Sequence, residues 1–202
     1  MNDVIGNSDM IQGSATTFIQ DRFGSTNAAL ALNGGFTRIP SGIFFNAPQF
    51  TISAWVFCKE IGLNAPLIDF GNGAVADNII VRLGSSGFDK PALRINNGSS
   101  SMGTAQSIVL LKNLTWTLLT VTFNGTEMLL YLNATQHGSY YSDFVLPTIT
   151  RLYNYVGKSN TPTNGFSWSY IDDLRFYNKS LTKDEILDLM NKNNESMFFE
   201  IF

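Results

Sequence analysis

One cysteine and one histidine in 202 residues exclude a good deal of chemistry. The lone Cys58 permits no internal disulfide, and with only His137 to join it a zinc centre lacks ligands. Cys58 lies in a strand-like run, where a small buried apolar side chain is its expected role. His137 lies in the turn-like ATQHGS and is expected in a surface loop. Charge is scarce as well: Asp, Glu, Lys and Arg make up 14% of the chain, and the net charge is −3. No run of Lys or Arg forms a nucleic-acid or anionic-membrane footprint. No apolar run approaches the about 18 residues of a membrane helix, so no membrane insertion is expected. The opening MNDVIGNSDM is polar and does not read as a signal peptide. The chain therefore reads either as cytosolic or as a domain excised from a longer secreted protein.

Apolar residues, in contrast, reach 44% and aromatics 13%, with 16 Phe. That is enough for one domain, 1–202, with one sizeable core. With so little charge, the surface must be rich in Ser, Thr, Asn and Gly, which suits an extracellular or cell-surface β domain. Six Asn-x-Ser/Thr sequons, at Asn97, Asn113, Asn124, Asn133, Asn178 and Asn194, point the same way and are candidate glycosylation sites. Short apolar runs broken by Gly, Asn, Ser and Pro give candidate strands at 28–33, 37–40, 50–57, 66–70, 78–83, 92–96, 107–111, 116–123, 127–133, 153–157 and 170–177. This is the rhythm of an antiparallel sandwich.

The hairpin WTLLTVTFNGTEMLLYLN is the clearest local signal. Asn124-Gly125 reads as a two-residue type I′ turn, which pairs Phe123 with Thr126, Val121 with Met128, Leu119 with Leu130 and Thr117 with Leu132. That apolar face is assigned to the core. The other face carries Trp116, Leu118, Thr120, Thr122, Glu127, Leu129, Tyr131 and Asn133; it is either a shallow binding surface or covered by another segment. Near the C-terminus, Thr182 and Glu185 form a capping box, with Leu181 and Ile186 as a hydrophobic staple. The short helix that follows is expected to bury Ile186, Leu187 and Met190 and to end among residues 191–194.

FTISAWVF, WTLLTVTFNGTEMLLYLN, YVGKSN and YIDDLRFYNKSLTKDEI follow one another in order. The series resembles the laminin-G-like, concanavalin A-like jelly-roll domains over about residues 16–190. The resemblance implies an all-β fold: an antiparallel two-sheet jelly-roll sandwich with one short C-terminal helix. It also implies a non-enzymatic extracellular recognition or adhesion module binding a glycan or glycoprotein, with or without one structural or ligand-bridging calcium (Ca2+). The alternative is a structural protein–protein assembly domain of a larger secreted or cell-surface protein, which would allow an oligomer. Glucanases of this architecture alternate Glu, Asp and Glu on one strand; no strand here does, and no Gly-x-Ser-x-Gly elbow, phosphate loop or metalloprotease helix is present.

Two places are candidates for a metal. Asp77-Asn78 matches an Asp-Asn pair that the related pentraxins use for calcium, but the comparable second loop, Val156–Phe166, offers Lys158 and no carboxylate. Asp77 and Asn78 equally suit a turn. Leu174 and Phe176, spaced by two, are expected to face the core, which would turn Asp172 inward and Asp173 outward with Arg175. An inward carboxylate needs a partner. Relatives place calcium on the corresponding aspartate, with Asp21 as a candidate second ligand; pairing with Arg22 is the other reading. For a ligand, Trp168 and Tyr170 alternate and so share a face, and Asn160 joins them as a candidate polar contact. Packing at the sandwich ends is the other reading of the aromatics.

Overall fold

The computed structural model describes residues 10–11, 13–61, 64–84, 90–192 and 199–201. Two antiparallel sheets lie face to face in the expected jelly roll. In spatial order the larger sheet runs β1 (Thr16–Ile19), β2 (Ala29–Gly35), β15 (Ser167–Tyr177), β5 (Phe50–Glu60), β10 (Trp116–Phe123), β11 (Glu127–Leu132) and β12 (Thr135–Tyr141), and β16 (Phe199–Ile201) pairs parallel to β15. The smaller runs β3 (Thr37–Ile39), β14 (Tyr153–Val156), β6 (Pro66–Gly71), β7 (Ile79–Arg82), β8 (Ala92–Asn97) and β9 (Ser100–Gln106). A short pair joins β4 (Gly42–Ile43) to β13 (Thr150–Arg151).

Alternation along the strands sends one side chain in two between the sheets. Ile52, Val56, Val121 and Leu130 meet Ile68, Phe70, Val81 and Leu93 there. Phe44, Phe45, Phe50, Phe70, Phe123 and Phe176 form a continuous chain of ring contacts, with centroids 4.9–5.9 Å apart. Cys58 is buried in the same core.

Several sequence expectations change. Residues 107–111 form no strand: the Ser107 hydroxyl accepts the Val109 N–H at 3.1 Å and turns the chain, leaving Ile108 and Leu110 exposed. β9 and β12, rich in Ser, Thr, Gly and Gln, lacked the apolar signal, yet they close one side of the sandwich. There a Cβ on Gly103 would lie 2.0 Å from the Tyr140 ring. His137 sits on β12, half-buried, rather than in a loop. The hairpin turn is longer than two residues. Asn124 Oδ1 accepts the N–H groups of Thr126 and Glu127 at 3.0 and 2.8 Å. Phe123 therefore pairs with Met128, Val121 with Leu130 and Leu119 with Leu132. The shift is by two residues, so every side chain keeps its expected face.

Helix α1 (Lys183–Asn191) starts at the expected capping box: Thr182 Oγ1 accepts the Glu185 N–H, and Glu185 accepts the Thr182 N–H. It packs on the outer face of the larger sheet, where Leu181 and Ile186 cover Leu118, Tyr131 and Ala134. Leu189 and Met190 join them, while Leu187 points to solvent, so the buried stripe is i, i+3, i+4.

Candidate functional site

The helix covers only one end of the larger sheet's outer face. Along β5 the outward residues are Thr51, Ser53, Trp55, Phe57 and Lys59, and they pass from buried through half-buried to exposed. At the uncovered end, strand register lines up Ala31, Tyr170, Phe57 and Trp116 across four strands. Phe57 and Tyr170 stack with centroids 5.3 Å apart and planes 12° apart, and Trp116 lies 5.6 Å from Phe57 on the other side. Trp168 extends the group along β15. Ser167 and Ser169, with hydroxyls 2.7 Å apart, are buried, which leaves Trp168 and Tyr170 facing out. Trp168 is 44% exposed, and its ring lies over Gly34, where a Cβ would come within 2.8 Å. Gly34 has φ +71°, so glycine serves both the backbone and the ring. Lys59 Nζ stands 5.5 Å from the Tyr170 centroid and donates to Asn33 Oδ1 at 3.3 Å. Trp168 and Tyr170 thus share a face as expected, and they lie in an open aromatic row rather than packing an end of the core. Phe57, legible only as a strand residue, belongs to that row, and so does Trp116, from the hairpin face expected to be either a shallow binding surface or covered.

Beside this row, Asp172 and Asp173 depart from expectation. Asp173 has φ 51°, and the pairing of β15 with β5 shifts between Asp172 and Arg175. This bulge inserts a residue, so Ile171 and Leu174 both face the core while Asp172, opposite Trp55, turns outward. Asp172 and Asp173 converge on Arg22; Nη2 donates to Asp173 at 2.8 Å and Nη1 donates to Asp172. Arg175 also reaches Asp173, at 3.5 Å. The Arg22 guanidinium carbon stands 4.3 Å from the Phe23 centroid and 4.9 Å from that of Trp55. Burial, with Asp173 adding like charge, pushes the Asp172 carboxyl up to about 6 against the pull of Arg22. Asp21 accepts the N–H groups of Phe23 and Ser25, both at 2.8 Å. Burial opposes its charge, but these bonds prevail and its pKa is lowered.

On the smaller sheet, Asp77 and Asn78 shape a turn. Asp77 Oδ1 accepts the Gly98 N–H at 2.6 Å, and Asn78 Oδ1 accepts the Ala76 N–H at 2.6 Å. Asn160, far from Trp168 in this arrangement of elements, bonds instead to the fully buried Asp69. Asp69 escaped the sequence reading because it stands within the apolar run PLIDFG; a single acid in such a run was the available signal. Burial raises its pKa, and the bonds from Asn160, Asn78 and Ser159 oppose the rise.

Of the oxygens expected to hold calcium, those of Asp172 are paired with a guanidinium, and the Oδ1 atoms of Asp21, Asp77 and Asn78 each accept an N–H group. Among the described residues no three His, Cys, Asp or Glu side chains form a metal-binding group. Of the sequons, Asn97, Asn113, Asn124, Asn133 and Asn178 are exposed, and Asn194 lies outside the described residues.

A family model described as the concanavalin A-like lectin/glucanases superfamily matches residues 31–187. Domain 4 of AbnA, a GH43 extracellular arabinanase from Geobacillus stearothermophilus, whose structure is in complex with arabinotriose, aligns with a TM-score of 0.69 at 19% identity, covering 92% of this chain and 89% of that one. The binding domain of Paraclostridial Mosquitocidal Protein 1 aligns with a TM-score of 0.66 at 16% identity, covering 92% of this chain and 47% of that one. The binding domain of Botulinum Neurotoxin DC in complex with SialylT gives 0.67 at 12% identity, with coverages of 92% and 46%. The chain thus spans about half the length of the toxin domains, and at these identities the likeness is one of fold. No relative with a curated description matches the sequence.

Proposed function

The chain belongs to the concanavalin A-like lectin/glucanases superfamily, and from that premise we propose that it is a non-catalytic, extracellular glycan-binding module. The sugar chain lies along the row Trp168–Tyr170–Phe57–Trp116. The observation that carries this reading is the cross-strand row of rings on the uncovered outer face of the larger sheet, half-buried at Tyr170, Phe57 and Trp116 and exposed at Trp168. An aromatic face offers the apolar C–H face of a sugar ring a large, rigid contact, and Lys59 and Asn33 stand beside it to bond hydroxyls. Neighbouring folds whose structures include arabinotriose or SialylT support the ligand class. Binding needs no bridging calcium, because the acids nearest the row already neutralise Arg22.

Titration calorimetry with neutral oligosaccharides, starting with arabinotriose, tests this reading. Trp168→Ala is expected to weaken binding at least about tenfold, equivalent to about 1.4 kcal/mol, with little loss of stability because the ring is half exposed. Chelator is expected to change neither affinity nor melting temperature. A Trp168→Ala protein that binds as the wild type does sinks the assignment, and turnover of any oligosaccharide sinks the non-catalytic reading.

A second reading, protein–protein assembly, is favoured by one feature. Ile108, Leu110 and Leu114 are 75%, 57% and 66% exposed on the loop after β9. A concentration-dependent oligomer abolished by Leu110→Ser and Leu114→Ser, with no glycan binding, would support it.

A further inference from the structure

The outer face of the smaller sheet holds a second concavity, on the opposite side of the sandwich from the aromatic row. Register places Arg38, Tyr155 and Asp69 side by side across β3, β14 and β6. Asp69 is buried under residues 159–160 and pins them from both carboxylate oxygens. Ser159 Oγ and the Asn160 N–H donate to Oδ2 at 2.9 and 2.8 Å; Asn160 Nδ2 and Asn78 Nδ2 donate to Oδ1 at 3.0 and 2.9 Å. Asn160 also ties back to the Tyr153 carbonyl at 3.0 Å. The pinned segment walls a groove of about 310 Å³ lined by Tyr153, Tyr155, Lys158, Ser159, Asn160 and Pro162, together with Gly73. That is near the lower end of ligand-pocket volumes, about 300–1,000 Å³.

The groove carries the ammonium of Lys158. Lys158 Nζ stands over two rings, 4.6 Å from the Phe36 centroid and 4.7 Å from that of Tyr155. Neither Lys158 nor Arg38 takes part in an ion pair among the described residues. The neighbouring strands β7 and β8 add Arg82 and Arg94 on the same face, which are diagonal neighbours by register. Among the described outward residues of this sheet's strands, the one carboxylate is Asp69, which four neutral donors hold beneath residues 159–160. Arg38, Lys158, Arg82 and Arg94 outnumber the one buried carboxylate, so this face is locally positive in a protein of net charge −3, beside Tyr153, which is 43% exposed.

We propose that this groove is a second glycan site, selective for a carboxylate-bearing sugar such as a uronic acid. The sugar face rests on Tyr153 and the carboxylate reaches Lys158, with the pinned Ser159–Asn160 segment as the wall beside them. The rigid anchoring by Asp69 reduces the ordering cost of binding. The site stands apart from the aromatic row and does not depend on its role.

Isotope-edited NMR titrations with trigalacturonic acid and with neutral galactotriose test the proposal, on wild type, Lys158→Gln, Lys158→Arg, Tyr153→Ala and Trp168→Ala. The expected result is binding of the acidic trimer, with amide shifts centred on residues 158–160, weakened by salt. Lys158→Gln and Tyr153→Ala should each weaken it about tenfold or more, Lys158→Arg should retain it, and Trp168→Ala should leave it unchanged. Equal affinity for the neutral trimer, absence of binding, or insensitivity to Lys158→Gln would overturn the proposal. So would equal binding of a short single-stranded DNA, which would reduce the groove to a general anion site. Loss of neutral-sugar binding in Trp168→Ala reports on the aromatic row alone, so the two assignments stand or fall separately.

Discussion

Asp172 and Asp173 share Arg22, and Arg175 also reaches Asp173. Burial is the main reason that the Asp172 carboxyl rises to about 6 from 3.8; Asp173 adds like charge, and Arg22 pulls the other way. A carboxyl whose folded-state pKa is raised binds its proton more tightly folded than unfolded. It therefore contributes stability at low pH, and that contribution is lost as pH rises from about 4 through 6. Asp69, raised by burial, acts in the same direction, and Asp21, lowered by its N–H bonds, acts in the opposite one. The expected outcome is that the wild type loses stability relative to Asp172→Asn between pH 4 and 7, read from urea midpoints of both proteins; a constant difference would contradict the assignment. The doublet was the visible clue. The inward direction expected of Asp172 rests on a regular period of two through Leu174 and Phe176. One aspartate in the left-handed region, which Asp tolerates, breaks that period.

Elements show the same division. The helix was legible almost residue by residue, because capping is local chemistry: Thr182, Glu185, Leu181 and Ile186 act within five residues of one another. Thr182→Ala is expected to cost about 1 kcal/mol, seen as a lower midpoint in thermal or urea unfolding. Because α1 lies over Leu118 and Tyr131 at the covered end of the sheet, affinity for neutral sugar should be unaffected. A change in affinity larger than twofold would mean that the helix and the aromatic row are coupled. The hairpin was legible as to face but not register, since Asn124 uses its side chain to cap a longer loop. β9 and β12 were invisible because they are edge strands held by pairing and by small residues at the closed side, rather than by apolar alternation.

At the scale of the molecule, the last long strand lies in the middle. β15 sits between β2 and β5, so residues more than 110 positions apart in sequence must meet before the larger sheet exists. A chain ending at Phe166 is expected to have no folded state, with near-UV circular dichroism flat and amide resonances undispersed. A cooperative unfolding transition in that fragment would show that the sheet closes without β15. This topology also explains the split of the candidate ligand residues. Trp168 and Tyr170 are close in sequence to Asn160, yet the chain crosses from the smaller sheet to the larger between them, and Asn160 stays behind with Asp69. The class of fold, the faces of the strong strands, the helix with its cap and the scarcity of cysteine and histidine were readable along the chain, because each follows from local periodicity, short-range hydrogen bonding or plain composition. That Phe57 and Trp116 join Tyr170 and Trp168, that Arg22 takes both aspartates, and that Lys158 faces an open groove emerged with the folded chain alone, because those meetings depend on the register of strands far apart in sequence.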